Sequence, residues 1–198
     1  MNAKVSSSEA TSRKTILNLT HHEARSFLLK AESYCGLDFP PYIVFGDLIG
    51  GVPQVLDGKR LSDFRRSSPR EFDDVNYTIL HNKDGKYSWR PFELIHPALY
   101  VSLVHATTEE GNWQLIRERF RQFALNDKVC CLSLPIVSSS DEKDRAEQVS
   151  HWWVGVEQRS IELSLDYDYL LETDITDCYG AIYTHSIAWA LRRPPTFE

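Results

Sequence analysis

Only four cysteines occur in the 198 residues, and no Cys-x-x-Cys spacing is among them. Cys35 and Cys178 stand alone, while Cys130 and Cys131 are neighbours. This pattern excludes a zinc-finger ligand set and a disulfide scaffold. It leads us to expect a reduced, cytoplasmic protein. No apolar run approaches the roughly 20 residues that a membrane-spanning helix needs, so no membrane partner is expected. The first 14 residues are polar and Ser-rich, with no hydrophobic stretch of the signal-peptide kind, and read as a flexible leader. His-Glu-x-x-His, Gly-x-Ser-x-Gly and phosphate-loop glycine spacings are all missing. The usual signatures of zinc proteases, α/β-hydrolases and P-loop enzymes are therefore excluded.

What the chain does contain is a globular composition, 42% hydrophobic, 25% charged and 12% aromatic. That suits one ordinary domain or two small ones and excludes disorder over most of the length. The net charge of -6 argues against a uniformly basic nucleic-acid binder, but it hides a gradient. Residues 141–178 hold 11 acidic and 3 basic side chains, whereas Gly58 to Arg70 holds five basic and one acidic. Acidic clusters attract cations and basic stretches attract phosphates.

Local patterns predict a mixed α+β order, with helices outnumbering strands. Thr20 and Glu23 form a capping-box pattern that predicts a helix through about Tyr34. Pro40-Pro41 predicts an extended entry into Tyr42–Phe45. Residues 50–75 read mostly as loop with short helical turns. Asn76–His81 and Tyr87–Phe92 read as strands joined by a turn around Asp84-Gly85, making a finger with a basic tip. Pro97 opens a short buried helix. Trp113, Ile116, Phe120 and Phe123 mark an amphipathic helix with Arg117, Arg119 and Arg121 on its other face. Val129 to Pro135 reads as a short strand. Val149, Trp152, Trp153, Val156 and Leu163 mark a long helix whose aromatic stripe suits a core. Tyr167 to Thr173 reads as an apolar strand, and Cys178 to Leu191 has helical spacing.

The segment Glu172-Thr173-Asp174-Ile175-Thr176-Asp177-Cys178-Tyr179 carries the chemistry. A strand that ends in a carboxylate can aim an oxygen ligand. Mg²⁺ takes hard oxygen donors, often one or two carboxylates together with substrate phosphates. An Asp before a helix is also a common N-cap. The residues alone leave both readings open.

Asp174-Ile175-Thr176-Asp177-Cys178-Tyr179-Gly180-Ala181-Ile182-Tyr183-Thr184-His185-Ser186-Ile187 resembles the first catalytic palm motif of reverse transcriptases, an Asp followed five residues later by an aromatic and then a small, apolar run. The Tyr-Thr-His continuation is similar to the bacterial enzymes of the abortive-infection, or defence-associated, group. Lys83-Asp84-Gly85-Lys86-Tyr87-Ser88-Trp89-Arg90-Pro91 resembles their fingers hairpin. The resemblance implies an RNA-directed DNA polymerase, with residues 15–165 as the N-terminal and fingers region and 166–198 as the start of a palm. It implies Asp174 as the catalytic ligand of Mg²⁺ or Mn²⁺, and Ile175 as a carbonyl ligand. Asp177 would present its backbone to the triphosphate, and Tyr179 would exclude a 2′-hydroxyl. Arg90, with Lys83 or Lys86, would grip the phosphates of the dNTP. Arg60, Arg65, Arg66 and Arg70 would lie along the nucleic-acid backbone. The implied partners are an RNA template, a DNA primer and dNTPs, and the implied biological setting is antiphage defence.

The family also requires an aromatic-x-Asp-Asp motif, and these residues contain none. The expectation is therefore a truncated palm, inactive by itself and prone to self-association through an uncovered strand. Two other classes stay open. One is a non-catalytic nucleic-acid-binding fragment. The other is an unrelated α+β interaction protein in which Asp174 only caps a helix.

Overall fold

The computed structural model describes residues 14–37, 39–64, 67–68, 71–82, 89–126, 128–138, 140, 144–175 and 178–192, and of Tyr179 the backbone only. It is a mixed α+β structure, with helices and one two-stranded antiparallel sheet among these residues. No helix among the described residues is long and apolar enough to cross a membrane. The chain divides into two compact units, residues 20–114 and a second made of the chain up to Leu19 with everything from Leu115 on.

The 20–114 unit begins with α1, His21–Leu28. The capping box is formed: the Glu23 N–H donates to Thr20 Oγ1 at 3.2 Å, and the Thr20 N–H donates to the Glu23 carboxylate at 2.8 Å. The helix does not run unbroken to Tyr34. It stops at Leu28 and a second turn, α2, covers Ala31–Tyr34. Side chains satisfy the freed carbonyls. Ser33 donates to the Phe27 carbonyl at 2.7 Å, and the Tyr100 hydroxyl donates to that of Leu28. Tyr42 lies in a turn rather than in an extended run.

Part of the 50–75 stretch is helical. α3 spans Gly46–Val55 with Pro53 inside it. Ile49 and Leu56, seven residues apart on one helical face, are buried and hold it in place. Gly58 then turns the chain at φ 66°, a left-handed conformation glycine adopts without strain.

The finger forms from β1, Tyr77–Asn82, and β2, Trp89–Leu94. They pair with Ile79 opposite Phe92, Leu80 opposite Pro91 and His81 opposite Arg90. The expected turn lies outside the described residues. At the base, Asn76 donates to Glu93 at 3.1 Å and accepts the His96 N–H at 3.0 Å. His96 then caps α4, Pro97–Thr107. Val101 and Val104 of α4 are buried, and α4 packs on α1 and α3. Arg25 closes the far end of α4. Its Nε donates to buried Thr108 Oγ1 at 2.9 Å, a favourable place for a cation beside helix C-terminal carbonyls.

Burial pushes the Tyr100 phenol up to about 12, and neighbouring Tyr34, 5.1 Å away ring to ring, adds to the shift. In the unfolded chain the phenol ionises near 10. Between these values the unfolded state has lost its proton and the folded state still holds it. Stability of this unit is therefore expected to be whole below about pH 10 and to fall as pH rises toward 12. Tyr100→Phe should flatten that loss in urea titrations taken across the alkaline range.

α5, Glu110–Phe123, runs through the boundary between the units. Of its apolar stripe only Trp113 is buried; Phe120 and Phe123 are exposed. In the second unit, a short 3₁₀ turn at Ile16–Asn18 lies beside a single bridge between Thr15 and Ile136. The expected strand at 129–135 is irregular and mostly exposed; the bridge falls just past it at Ile136, and the Pro135 carbonyl accepts the Ile16 N–H at 2.8 Å. Gln148 does the work of a partner strand. Its amide accepts the Ile136 N–H at 2.9 Å and donates to the Ile136 carbonyl at 2.6 Å.

Gln148 belongs to α6, Asp144–Ser164. The Trp152 and Trp153 side chains are exposed, so the stripe expected in the core faces outward within its unit. Residues 167–173 form no strand among the described residues, and all of them are exposed. Two helices follow, α7 over Cys178–Ala181 and α8 over Thr184–Arg192, in place of one continuous helix. Arg119 Nε donates to the Leu191 carbonyl at 2.8 Å and caps the end of α8.

Candidate nucleotide and metal site

Asp174 ends the exposed run that precedes α7, and its carboxylate is open to solvent. One oxygen, Oδ1, accepts the N–H of Ile175 at 2.8 Å. This contact is within a residue of Asp174 and does not cap a helix. α7 covers Cys178–Ala181. Oδ2 makes no hydrogen bond among the described residues. Ile175 is also exposed. Asp174 and Ile175 are neighbours in the chain, and a carboxylate and a backbone carbonyl are both hard oxygen donors of the kind Mg²⁺ takes. Among the described residues no group of three or more His, Cys, Asp or Glu side chains converges. The donor chemistry fits Mg²⁺ held jointly with a ligand that brings its own oxygens.

Asp177 lies outside the described residues, as does the side chain of Tyr179. Beyond them the structure presents a cluster that the sequence pattern did not single out. The Tyr183 and His185 rings stack at 4.8 Å, and Trp189 lies 5.9 Å from Tyr183. His185 and Trp189, 6.4 Å apart, are four residues apart in α8, a spacing that makes side chains neighbours, so that part of the signal was present in the order of residues.

In the other unit, Arg90 is exposed and pairs with His81, next to the Asn82–Trp89 pair that is the last before the strands' connection. Lys83 and Lys86 lie outside the described residues. Arg60 is exposed, and its backbone N–H donates to Asp63 at 2.8 Å. Arg65, Arg66 and Arg70 lie outside the described residues. A solvent-exposed guanidinium suits phosphate, since it presents several fixed donors and stays charged. Near Arg60 a cavity opens between Leu61, Phe64, Phe72 and His96; the sequence reading missed it. No known protein family matches the chain, and no curated protein matches it either.

Proposed function

We propose that this chain carries the fingers and first palm motif of an RNA-directed DNA polymerase that joins dNTPs by nucleotidyl transfer, in the setting of antiphage defence. The observation that carries this reading is the Asp174–Ile187 pattern, whose leading Asp is exposed and has one carboxylate oxygen with no hydrogen bond among the described residues. Asp174 and the Ile175 carbonyl would hold Mg²⁺ or Mn²⁺. When bound, such an ion neutralises charge that builds on phosphate oxygens during transfer. Asp177 would offer its backbone to the triphosphate. Tyr179 would pack under the sugar and exclude a 2′-hydroxyl. Arg90, with Lys83 or Lys86, would grip the phosphates, while Arg60, Arg65, Arg66 and Arg70 would follow the backbone of an RNA template and DNA primer.

Equilibrium dialysis of the purified chain with labelled dNTP tests this reading. Retention of dNTP is expected in Mg²⁺ and not in a chelator. Arg90→Ala should weaken it about tenfold to a hundredfold, the worth of a hydrogen bond to a charged group. Arg90 is exposed, so the melting temperature should stay where it is. Equal retention with and without the divalent ion would remove the polymerase reading.

A further inference from the structure

The cavity in the 20–114 unit has a volume of about 540 Å³, within the range of small-ligand sites. Its walls are mainly apolar, with Phe64 and Phe72 as the large flat surfaces. Two polar groups among its lining residues have fixed hydrogen-bonding sense. The Nδ1 of His96 accepts the Ala98 N–H at 3.2 Å. A neutral imidazole carries its proton on the other nitrogen in that case, so Nε2–H is a donor. Asn76 anchors the His96 backbone, which keeps this ring in place. Asp74 supplies a carboxylate, an acceptor only, and it makes no hydrogen bond among the described residues. Beside the aromatic wall, Lys59 Nζ lies 5.4 Å from the centre of the Phe64 ring and places a cation at the rim.

We propose that this cavity binds a guanine base, with Asp74 accepting from its N1–H and N2–H, His96 donating to its O6, and Lys59 meeting a 5′-phosphate. Flat apolar side chains suit a nucleobase face. The choice of base follows from the edge. Guanine offers a carboxylate two adjacent donors beside one acceptor. Adenine offers it a single donor and turns a ring lone pair toward its second oxygen. Cytosine and uracil match in part and cover less of the aromatic wall. The inference uses neither Asp174 nor a metal.

Calorimetric titration of the intact chain with GMP, AMP and guanosine, all in EDTA, separates this proposal from the polymerase reading. GMP should bind at least tenfold more tightly than AMP, the discrimination one bidentate pair supplies. Asp74→Asn should erase that preference without moving the melting temperature, because Asp74 is exposed. Lys59→Ala should bring GMP down to the affinity of guanosine. A seven-residue RNA strand with one central guanine, compared with its all-uridine counterpart, identifies the source. Tighter binding of the guanine strand than of GMP assigns an unpaired base in RNA, and equal binding assigns the free nucleotide. Equal affinity for GMP and AMP, no binding of GMP, or a guanine preference that survives Asp74→Asn would each overturn it.

Discussion

Asp174→Asn is expected to weaken the binding of Mg²⁺–dNTP at least tenfold while leaving the fold as it is. The substitution is nearly isosteric. It keeps an oxygen to accept the Ile175 N–H, the 2.8 Å contact that sets the local chain. What it removes is the negative charge. Mg²⁺ gives up its water reluctantly and is captured by a carboxylate and phosphate oxygens acting together. With few other ligands converging there, one lost carboxylate is a large share of the site. The side chain is exposed, so the change in stability should stay within about 0.5 kcal/mol. Calorimetric titration in Mg²⁺, paired with thermal melts, reads both quantities. Unchanged affinity would mean that Asp174 does not hold the ion.

Trp113→Ala should have the largest effect on stability. Trp113 is 4% exposed and belongs to a short roster of buried side chains in its unit, with Phe27, Ile49, Leu56, Val101 and Val104. Emptying such a site costs about 3–5 kcal/mol, from lost transfer energy and the cavity left behind. A small domain holds only about 5–15 kcal/mol in all, so the variant should sit close to its unfolding transition at room temperature. Urea titration followed by circular dichroism checks this. Trp113→Phe should recover most of the loss, since it refills much of the volume. A loss below about 1 kcal/mol for the alanine variant would place Trp113 outside the core that holds the unit together.

Local chemistry made much of the fold legible in the sequence. The Thr20/Glu23 box, the β-rich run at 76–81 and Pro97 before an apolar run each act over a few residues; the box and Pro97 sit where the pattern put them, and the strand is one residue further on, at Tyr77–Asn82. The failures share a different cause. α1 breaks near Leu29 because Ser33 and Tyr100 supply hydrogen bonds in place of helical amides, and Tyr100 is far away in the chain. α3 tolerates Gly50, Gly51 and Pro53 because Ile49 and Leu56 are buried against other elements. Residues 129–135 and 167–173 have the composition of strands but no ladder among the described residues, and composition says nothing about partners. The outward-facing Trp152 and Trp153 follow the helical period and not the expected burial.

The candidate site was readable to a similar depth. A carboxylate at residue 174 stands out from its spacing to Tyr179. That the Asp174 carboxylate accepts the N–H of the next residue, Ile175, emerges only from the structure. The cavity of Phe64, Phe72, Asp74 and His96 left no pattern in the sequence, since its parts come from three separate stretches. The tautomer of His96 depends on a backbone contact that no motif encodes.

The claim that Asp174 holds a divalent ion is tested most directly by affinity cleavage. Fe²⁺ takes the place of Mg²⁺, dNTP is added, and ascorbate with peroxide generates hydroxyl radicals at the bound ion. Mass spectrometry then locates the cut peptide bonds. The account expects cuts clustered at residues 172–180, dependent on dNTP and lost in Asp174→Asn. Cuts elsewhere in the chain, or an unchanged pattern in the variant, would contradict it.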